Sequence, residues 1–204
     1  MTKTKGELSI HTQNIFPIIK KWLYSDVDIF LRELVSNSVD AITKRQKLSQ
    51  GNDDIVFDEA PLITIKTDKK TVTISDNGLG LTAEEVQKYI TQIAFSGAED
   101  FIKNYESSDD NKGIIGHFGL GFYSSFMVAK KVEIQSLSYQ KDAKPVHWTC
   151  DGSTDYTIED GTRTEVGTDI ILTIDSELRR NLRKSIWIIC IVLKEEGQRN
   201  TIRI

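Results

Sequence analysis

The sequence predicts an α+β fold, a two-layer sandwich of helices on a mostly antiparallel sheet, from three observations. Apolar residues recur at helical spacing early in the chain, at Leu31, Leu34, Val35 and Ile42, with Ser38 on the same stripe. Short segments of alternating apolar and polar residues then follow one another, each bounded by turn residues. There is no internal repeat and no Pro- or Gly-rich linker, and Pro17, Pro61 and Pro145 each fall near an element boundary, so one domain is expected.

Taken in order, Glu7 to His11 alternates as a strand does, and a helix is expected after Pro17 through Ile18, Ile19, Trp22 and Leu23. Asp28 suits the N-cap of a longer helix that the polar stretch Lys44 to Asp54 should stop. Leu62 to Asp68 and Thr71 to Ser75 read as a hairpin turning at Lys69 and Lys70. Thr82 and Glu85 form a capping box that starts a helix running to about Ile93. Tyr105 to Lys112 has no apolar period and reads as a loop. A short helix from Phe122 to Ala129 precedes strands at Lys131 to Tyr139, Val146 to Cys150, Asp155 to Glu159 and Thr168 to Ile174.

Composition narrows the function classes. With 39% apolar and 27% charged residues in a 204-residue chain, the protein is of ordinary globular type. A formal net charge of -4 argues against a face built for the phosphate backbone, so nucleic acid is not an expected partner. Met1 to Ile10 carries Lys3, Lys5 and Glu7 and lacks the apolar core of a secretory signal, which points to the cytoplasm. Cys150 and Cys190 lack zinc-site spacing and read as reduced thiols. The apolar run Ser185 to Leu193 falls short of the roughly 20 residues that cross a bilayer, so no membrane span is expected.

Four segments carry candidate chemistry. In Glu33-Leu-Val-Ser-Asn37-Ser-Val-Asp40-Ala41, the residues Glu33, Asn37, Asp40 and Lys44 stack opposite the apolar stripe; alone, that is the solvated side of an amphipathic helix. Ser75-Asp76-Asn77-Gly78-Leu79-Gly80-Leu81 puts a carboxylate at a strand end, followed by two glycines. It reads as a hairpin turn, or as a loop that approaches a ligand and leaves Asp76 to accept from an exocyclic amine. Gly113 to Phe122 holds four glycines and runs into a helix, which suits a phosphate held by backbone N–H groups. Gly167-Thr168 opens a strand, either as a plain strand start or with its hydroxyl turned to a base or a water. No GxxxxGK[ST] motif occurs, which excludes a P-loop.

Together and in this order the four resemble the GHKL-type ATPase fold shared by heat-shock protein 90, DNA gyrase B, the mismatch-repair protein MutL and sensor histidine kinases. Within it, ELVSNSVDAI, ISDNGLGL, IAFSGAEDFI, IGHFGLGFYSSFMVAKKVEI and GTDIILTI are similar to bacterial members of the heat-shock protein 90 family over about Gly6 to Ile174. The resemblance implies an ATP-hydrolysing chaperone module that binds ATP or ADP with magnesium, with very weak hydrolysis expected of this domain alone. It makes Glu33 the general base that orients water and Asn37 the magnesium ligand. Asp76 becomes the adenine-reading carboxylate, with Ala41, Gly80, Leu81 and Thr168 at the base pocket. Gly116, Phe118, Gly119, Leu120, Gly121 and Phe122 wrap the phosphates, and a lid lies near 94–116. It further implies a homodimeric parent protein, unfolded or partly folded client proteins as partners through other domains, and an arginine from a following domain to complete the site.

Departures from the family pattern are Phe95 where many members carry lysine, Tyr89 where many carry asparagine, and His117 where glutamine is common. The domain is expected over 1–175, followed by a divergent tail over 176–204. Two rival readings are a gyrase-like or MutL-like DNA ATPase, which the acidic charge and GFYSSFMVA oppose, and a nucleotide-binding module without turnover, which the presence of Glu33 opposes.

Overall fold

The computed structural model describes residues 29–51, 55, 57, 59–91, 121–153, 155–175 and 201–203. The expected strand at Glu7 to His11, the helix after Pro17, the Asp28 cap, the lid and the tail segment 176–200 lie outside the described residues. In chain order the elements are α1 (Ile29–Gly51), β1 (Leu62–Thr67), β2 (Thr71–Asp76), α2 (Ala83–Tyr89), a 3-10 helix η1 (Gly121–Met127), β3 (Ala129–Leu137), β4 (Val146–Cys150), β5 (Tyr156–Asp160), β6 (Gly167–Ile174) and β7 (Thr201–Arg203).

The described strands form a seven-stranded sheet in the order β5-β4-β3-β6-β2-β1-β7, and each pairing in it is antiparallel. One face is covered: α1 lies on β1 and β2, and η1 fills the space between α1 and β3. This is the expected α+β sandwich, with period-two burial on each central strand because one face meets helices and the other meets water.

The register stacks the inward side chains in rows across the sheet. Ile65, Ile74, Ile170, Ile134, Trp148 and Ile158 form one row, and Val72, Leu172, Val132 and Cys150 form the next. Phe30, Leu31, Leu34 and Ile42 of α1 and Phe122, Tyr123 and Phe126 of η1 close over them. Burying each large apolar side chain contributes roughly 1.5–3 kcal/mol, so these rows supply most of the force that holds α1 on the sheet.

Two helices differ from expectation at their ends. The polar stretch after Lys44 does not stop α1, which continues to Gly51. Lys, Arg, Gln and Leu are good helix formers. Arg45 also anchors the extension, stacking 4.7 Å over the Phe57 ring and donating from Nη1 to the Asn77 carbonyl at 2.8 Å. The capping box that opens α2 is present in full: the Thr82 hydroxyl accepts from Glu85 N–H at 3.2 Å and the Glu85 carboxylate accepts from Thr82 N–H at 2.8 Å. α2 nevertheless ends at Tyr89 rather than near Ile93, where the Tyr123 hydroxyl of η1 takes the Ile90 carbonyl.

The segment expected as a helix from Phe122 to Ala129 is a 3-10 helix from Gly121 to Met127, and Ala129 already pairs with Ile174 in the sheet. Aromatic packing holds it in place, with Phe122 edge-on to Tyr123, Phe126 and Trp148 at centroid distances of 5.6, 6.3 and 5.7 Å. At the far edge β7 pairs with β1, Thr64 opposite Thr201, so part of the expected divergent tail is a strand of the sheet.

The row geometry gives a stability contrast. Leu34 has 0% of its surface exposed and Leu62 has 36%, so Leu34→Ala should lower unfolding free energy by about 2–5 kcal/mol, and Leu62→Ala by about 0.5 kcal/mol or less. Urea denaturation of the two variants checks this, and equal losses would count against the packing described.

Candidate functional site

One row on the covered face of the sheet breaks the apolar rule. Its members are Ile63 on β1, Asp76 on β2, Thr168 on β6, Ser136 on β3 and Val146 on β4, directly opposite one another across adjacent strands. Asp76, Thr168 and Ser136 are all buried, at 6%, 9% and 0% exposure. Three polar groups on neighbouring strands, under helices, are costly unless their hydrogen-bonding capacity is used.

Part of that capacity is used within the protein. Ser136 Oγ accepts from Leu81 N–H at 2.8 Å, lies 2.9 Å from Thr168 Oγ1 and is placed to donate to the Gly167 carbonyl at 3.1 Å. When Ser136 donates to Gly167, Thr168 donates to Ser136 and keeps both of its own lone pairs. Asp76 Oδ1 accepts from Gly78 N–H at 2.9 Å, and Oδ2 accepts from the Ser38 hydroxyl of α1 at 3.1 Å. A carboxylate has about four acceptor positions, so the two bonds leave Asp76 able to take a further donor.

Burial sets the electrostatics. It pushes the Asp76 carboxyl up to about 6, against the lowering effect of the Gly78 and Ser38 bonds and of the Arg163 charge. A buried carboxylate held this way, with spare acceptor capacity, can accept a further hydrogen-bond donor.

The loop after Asp76 is shaped by protein contacts. A Cβ on Gly78 would sit 2.6 Å from Ala41 Cβ, and a Cβ on Gly80, whose φ is +65°, would collide with the Leu137 carbonyl. Both glycines therefore let the loop pack between α1 and β3, a requirement of protein packing beside the ligand approach that the sequence suggests. Leu79 N–H donates to the Ala41 carbonyl at 3.2 Å and Tyr139 N–H to the Leu79 carbonyl at 2.8 Å, so the loop is bonded on both sides. Leu81 packs against the core.

The polar stripe of α1 is not a solvated face. Glu33, Asn37 and Ala41 are half-buried and Asp40 is buried. A Cβ on Gly121, at the start of η1, would collide with the Glu33 carboxylate, so that glycine gives the carboxylate its room. Phe122, expected among the phosphate-wrapping residues, sends its ring into the aromatic core and leaves only its backbone for that role. Gly116, Phe118, Gly119 and Leu120 lie outside the described residues, as do Phe95 and His117.

Ser136 and Arg163 also build this site although no sequence motif marks them, and Ser38, on the apolar stripe of α1, turns out to serve Asp76. A signal for Ser136 exists in the sequence: β3 places Val132 and Ile134 inward, and two residues further on a serine takes the same face. No group of three or more His, Cys, Asp or Glu suited to a metal occurs among the described residues. Nor is any described helix long and apolar enough to cross a membrane.

Comparison with known proteins identifies the family. Residues 24–169 match the family described as histidine kinase-, DNA gyrase B-, and HSP90-like ATPase. The chain is 54% identical over 181 residues to a protein of Bacteroides thetaiotaomicron named chaperone protein HtpG, covering 89% of this chain and 26% of that one. Proteins of the same name from Bacteroides fragilis and Porphyromonas gingivalis are 53% and 48% identical, covering 89% and 88% of this chain and 26% of each relative. The chain thus spans about a quarter of the length of these relatives.

The raised Asp76 value has a measurable consequence. Because the folded-state pKa of about 6 lies above the ordinary 3.8, the folded protein holds this proton where the unfolded chain has released it. The stabilisation is complete below about pH 4 and is lost as pH rises through 6, a change on the order of 3 kcal/mol. Asn at this position keeps the Gly78 bond without the charge. Ligand-free Asp76→Asn should therefore melt several degrees above the unsubstituted protein at pH 8, with the gap narrowing toward pH 4. A melting temperature at pH 8 equal to or below that of the unsubstituted protein would contradict the burial of an ionised carboxylate.

Proposed function

The chain belongs to the histidine kinase-, DNA gyrase B- and HSP90-like ATPase family, and from that premise we propose that it is the ATP-binding, ATP-hydrolysing N-terminal domain of a heat-shock protein 90 type chaperone. The observation that carries the reading is the buried Asp76 carboxylate in its polar row, with acceptor capacity left over and Ser38 of α1 bonded to it. The adenine amino group donates to Asp76. Thr168, whose proton goes to Ser136, offers its oxygen lone pairs beside it to a bridging water. Gly80, Leu81 and Ala41 bound the base.

The reacting end lies further along α1. Glu33 precedes Ser38 by five residues, about 7.5 Å of helix rise, and its carboxylate faces Gly121. In hydrolysis the oxygen of water bonds to the γ-phosphorus, the bond from that phosphorus to the β–γ bridging oxygen breaks, and the water proton passes to Glu33. Backbone N–H groups over 116–122 hold the phosphates, and a lid near 94–116 closes on them. Asn37, one turn from Glu33, suits a magnesium ion, which takes one or two protein ligands and completes its shell with phosphate and water. Bound there, magnesium would neutralise phosphate charge.

In this reading the parent protein is a cytoplasmic homodimer that uses the nucleotide cycle to act on unfolded or partly folded client proteins. The names of the relatives, chaperone protein HtpG, support the chaperone part of this reading. Two variants test the reading by calorimetry and phosphate release. Asp76→Asn should reduce ADP affinity by at least ~10-fold, because an amide donor then faces the adenine donor. Glu33→Ala should leave ADP and ATP affinity within about threefold and remove turnover, since the base acts in the transition state. Unchanged ADP affinity in the first variant, or parallel loss of binding and turnover in the second, would overturn the assignment.

A further inference from the structure

The carbonyls next to the recognition carboxylate are taken by two arginines from different parts of the chain. Arg45 of α1 donates to the Asn77 carbonyl at 2.8 Å, and Arg163, in the loop between β5 and β6, donates from Nη2 to the Asp76 carbonyl at 2.9 Å. Arg163 is the more constrained of the two. Its Nε donates to the Glu165 carbonyl at 2.9 Å and its Nη1 pairs with Asp169 of β6, so all three guanidinium nitrogens are engaged. Its side chain is only 14% exposed. A planar guanidinium bonded at every nitrogen has one orientation, which a lysine cannot reproduce.

The neighbouring glycine fits the same arrangement. Gly167 has φ +132°, and a Cβ there would collide with the Asp76 carbonyl and lie 2.8 Å from Arg163 Nη2. A side chain at 167 would break the bond between Arg163 and β2, so glycine here serves the arginine.

We propose that Arg163 is a positioning residue for the nucleotide site: its guanidinium ties the end of β2 to β6 and holds the Asp76 carboxylate facing the base. The inference rests on the function proposed above and deepens it. Asp76 is the last residue of β2, paired with Ile63 and Thr168, and beyond it the loop bonds and this clamp hold the end of the strand. Arg163 also places a positive charge beside that carboxylate, favouring its ionised form, while Asp169 acts in the opposite sense. Of the other groups around Asp76, α1 contributes the Ser38 hydroxyl and, at the next carbonyl, Arg45; β1 contributes Ile63 opposite, and β6 contributes Thr168.

The test uses the full 204-residue chain and two readouts. The carboxyl titration of Asp76, followed by carbon NMR without ligand, should move up in Arg163→Gln and down in Asp169→Asn, and stay near the unsubstituted value in Arg163→Lys. ADP affinity at pH 7.5 should fall about tenfold in Arg163→Gln and recover only in part in Arg163→Lys, because the charge returns without the three-point geometry. Asp169→Asn gives a second variant of opposite sign should Arg163→Gln fail to fold. An unmoved Asp76 titration in both Arg163→Gln and Asp169→Asn, or unchanged ADP affinity in Arg163→Gln, would overturn the positioning role. Absence of ADP binding by the unsubstituted protein would instead overturn the function proposed above, and the ligand-free titration would still decide whether Arg163 governs Asp76.

Discussion

Everything at the site depends on one departure from sheet chemistry: three adjacent strands turn polar side chains toward the helices in the same row. In the next two rows that face is isoleucine, valine, leucine, tryptophan and a buried cysteine. Asp76, Thr168 and Ser136 sit at the end of that hydrophobic wall, so water is excluded from one side of them and a ligand is expected on the other. The low-dielectric setting raises the cost of leaving them unpaired and the value of pairing them correctly. A carboxylate pushed up to about 6 is the stability cost of that arrangement, and its persistence is understandable if the group has a task.

Helix α1 joins the fold to the site. Leu31, Leu34 and Ile42 bind it to the sheet, while Ser38 reaches Asp76, Ala41 receives the Leu79 N–H and Arg45 holds the Asn77 carbonyl. Glu33 and Asn37 ride on the same rigid body. The spacing between Ser38, which bonds Asp76, and the proposed base Glu33 is thereby set by helix geometry, which is how a site gains precision from a scaffold.

Part of this is legible in the sequence. The capping box at Thr82 and Glu85, the strand Val146 to Cys150 and the carboxylate at the end of β2 are local signals, and local signals survive folding. The length of α1 is not, because polarity after Lys44 looks like a stop, whereas Arg45 makes tertiary contacts that polarity alone does not reveal. Gly78 and Gly80 stand out in the sequence but their packing requirement does not, since the neighbours that impose it, Ala41 and Leu137, are distant along the chain. Arg163 is hidden for the same reason: its partners Asp76 and Asp169 come together only when β2 and β6 pair. Ser136 is the one site residue that local reasoning can find and motif reading passes over, a serine on an inward position of an alternating strand.

The central claim is that the polar row reads an adenine, and calorimetric titration of ADP against GDP tests it most directly. Adenine presents an amino donor where guanine presents a carbonyl acceptor, so guanine would set oxygen against the Asp76 carboxylate. The account predicts ADP binding at least ~100-fold tighter than GDP at neutral pH. Equal affinity for the two nucleotides would show that Asp76 and its row do not recognise the base.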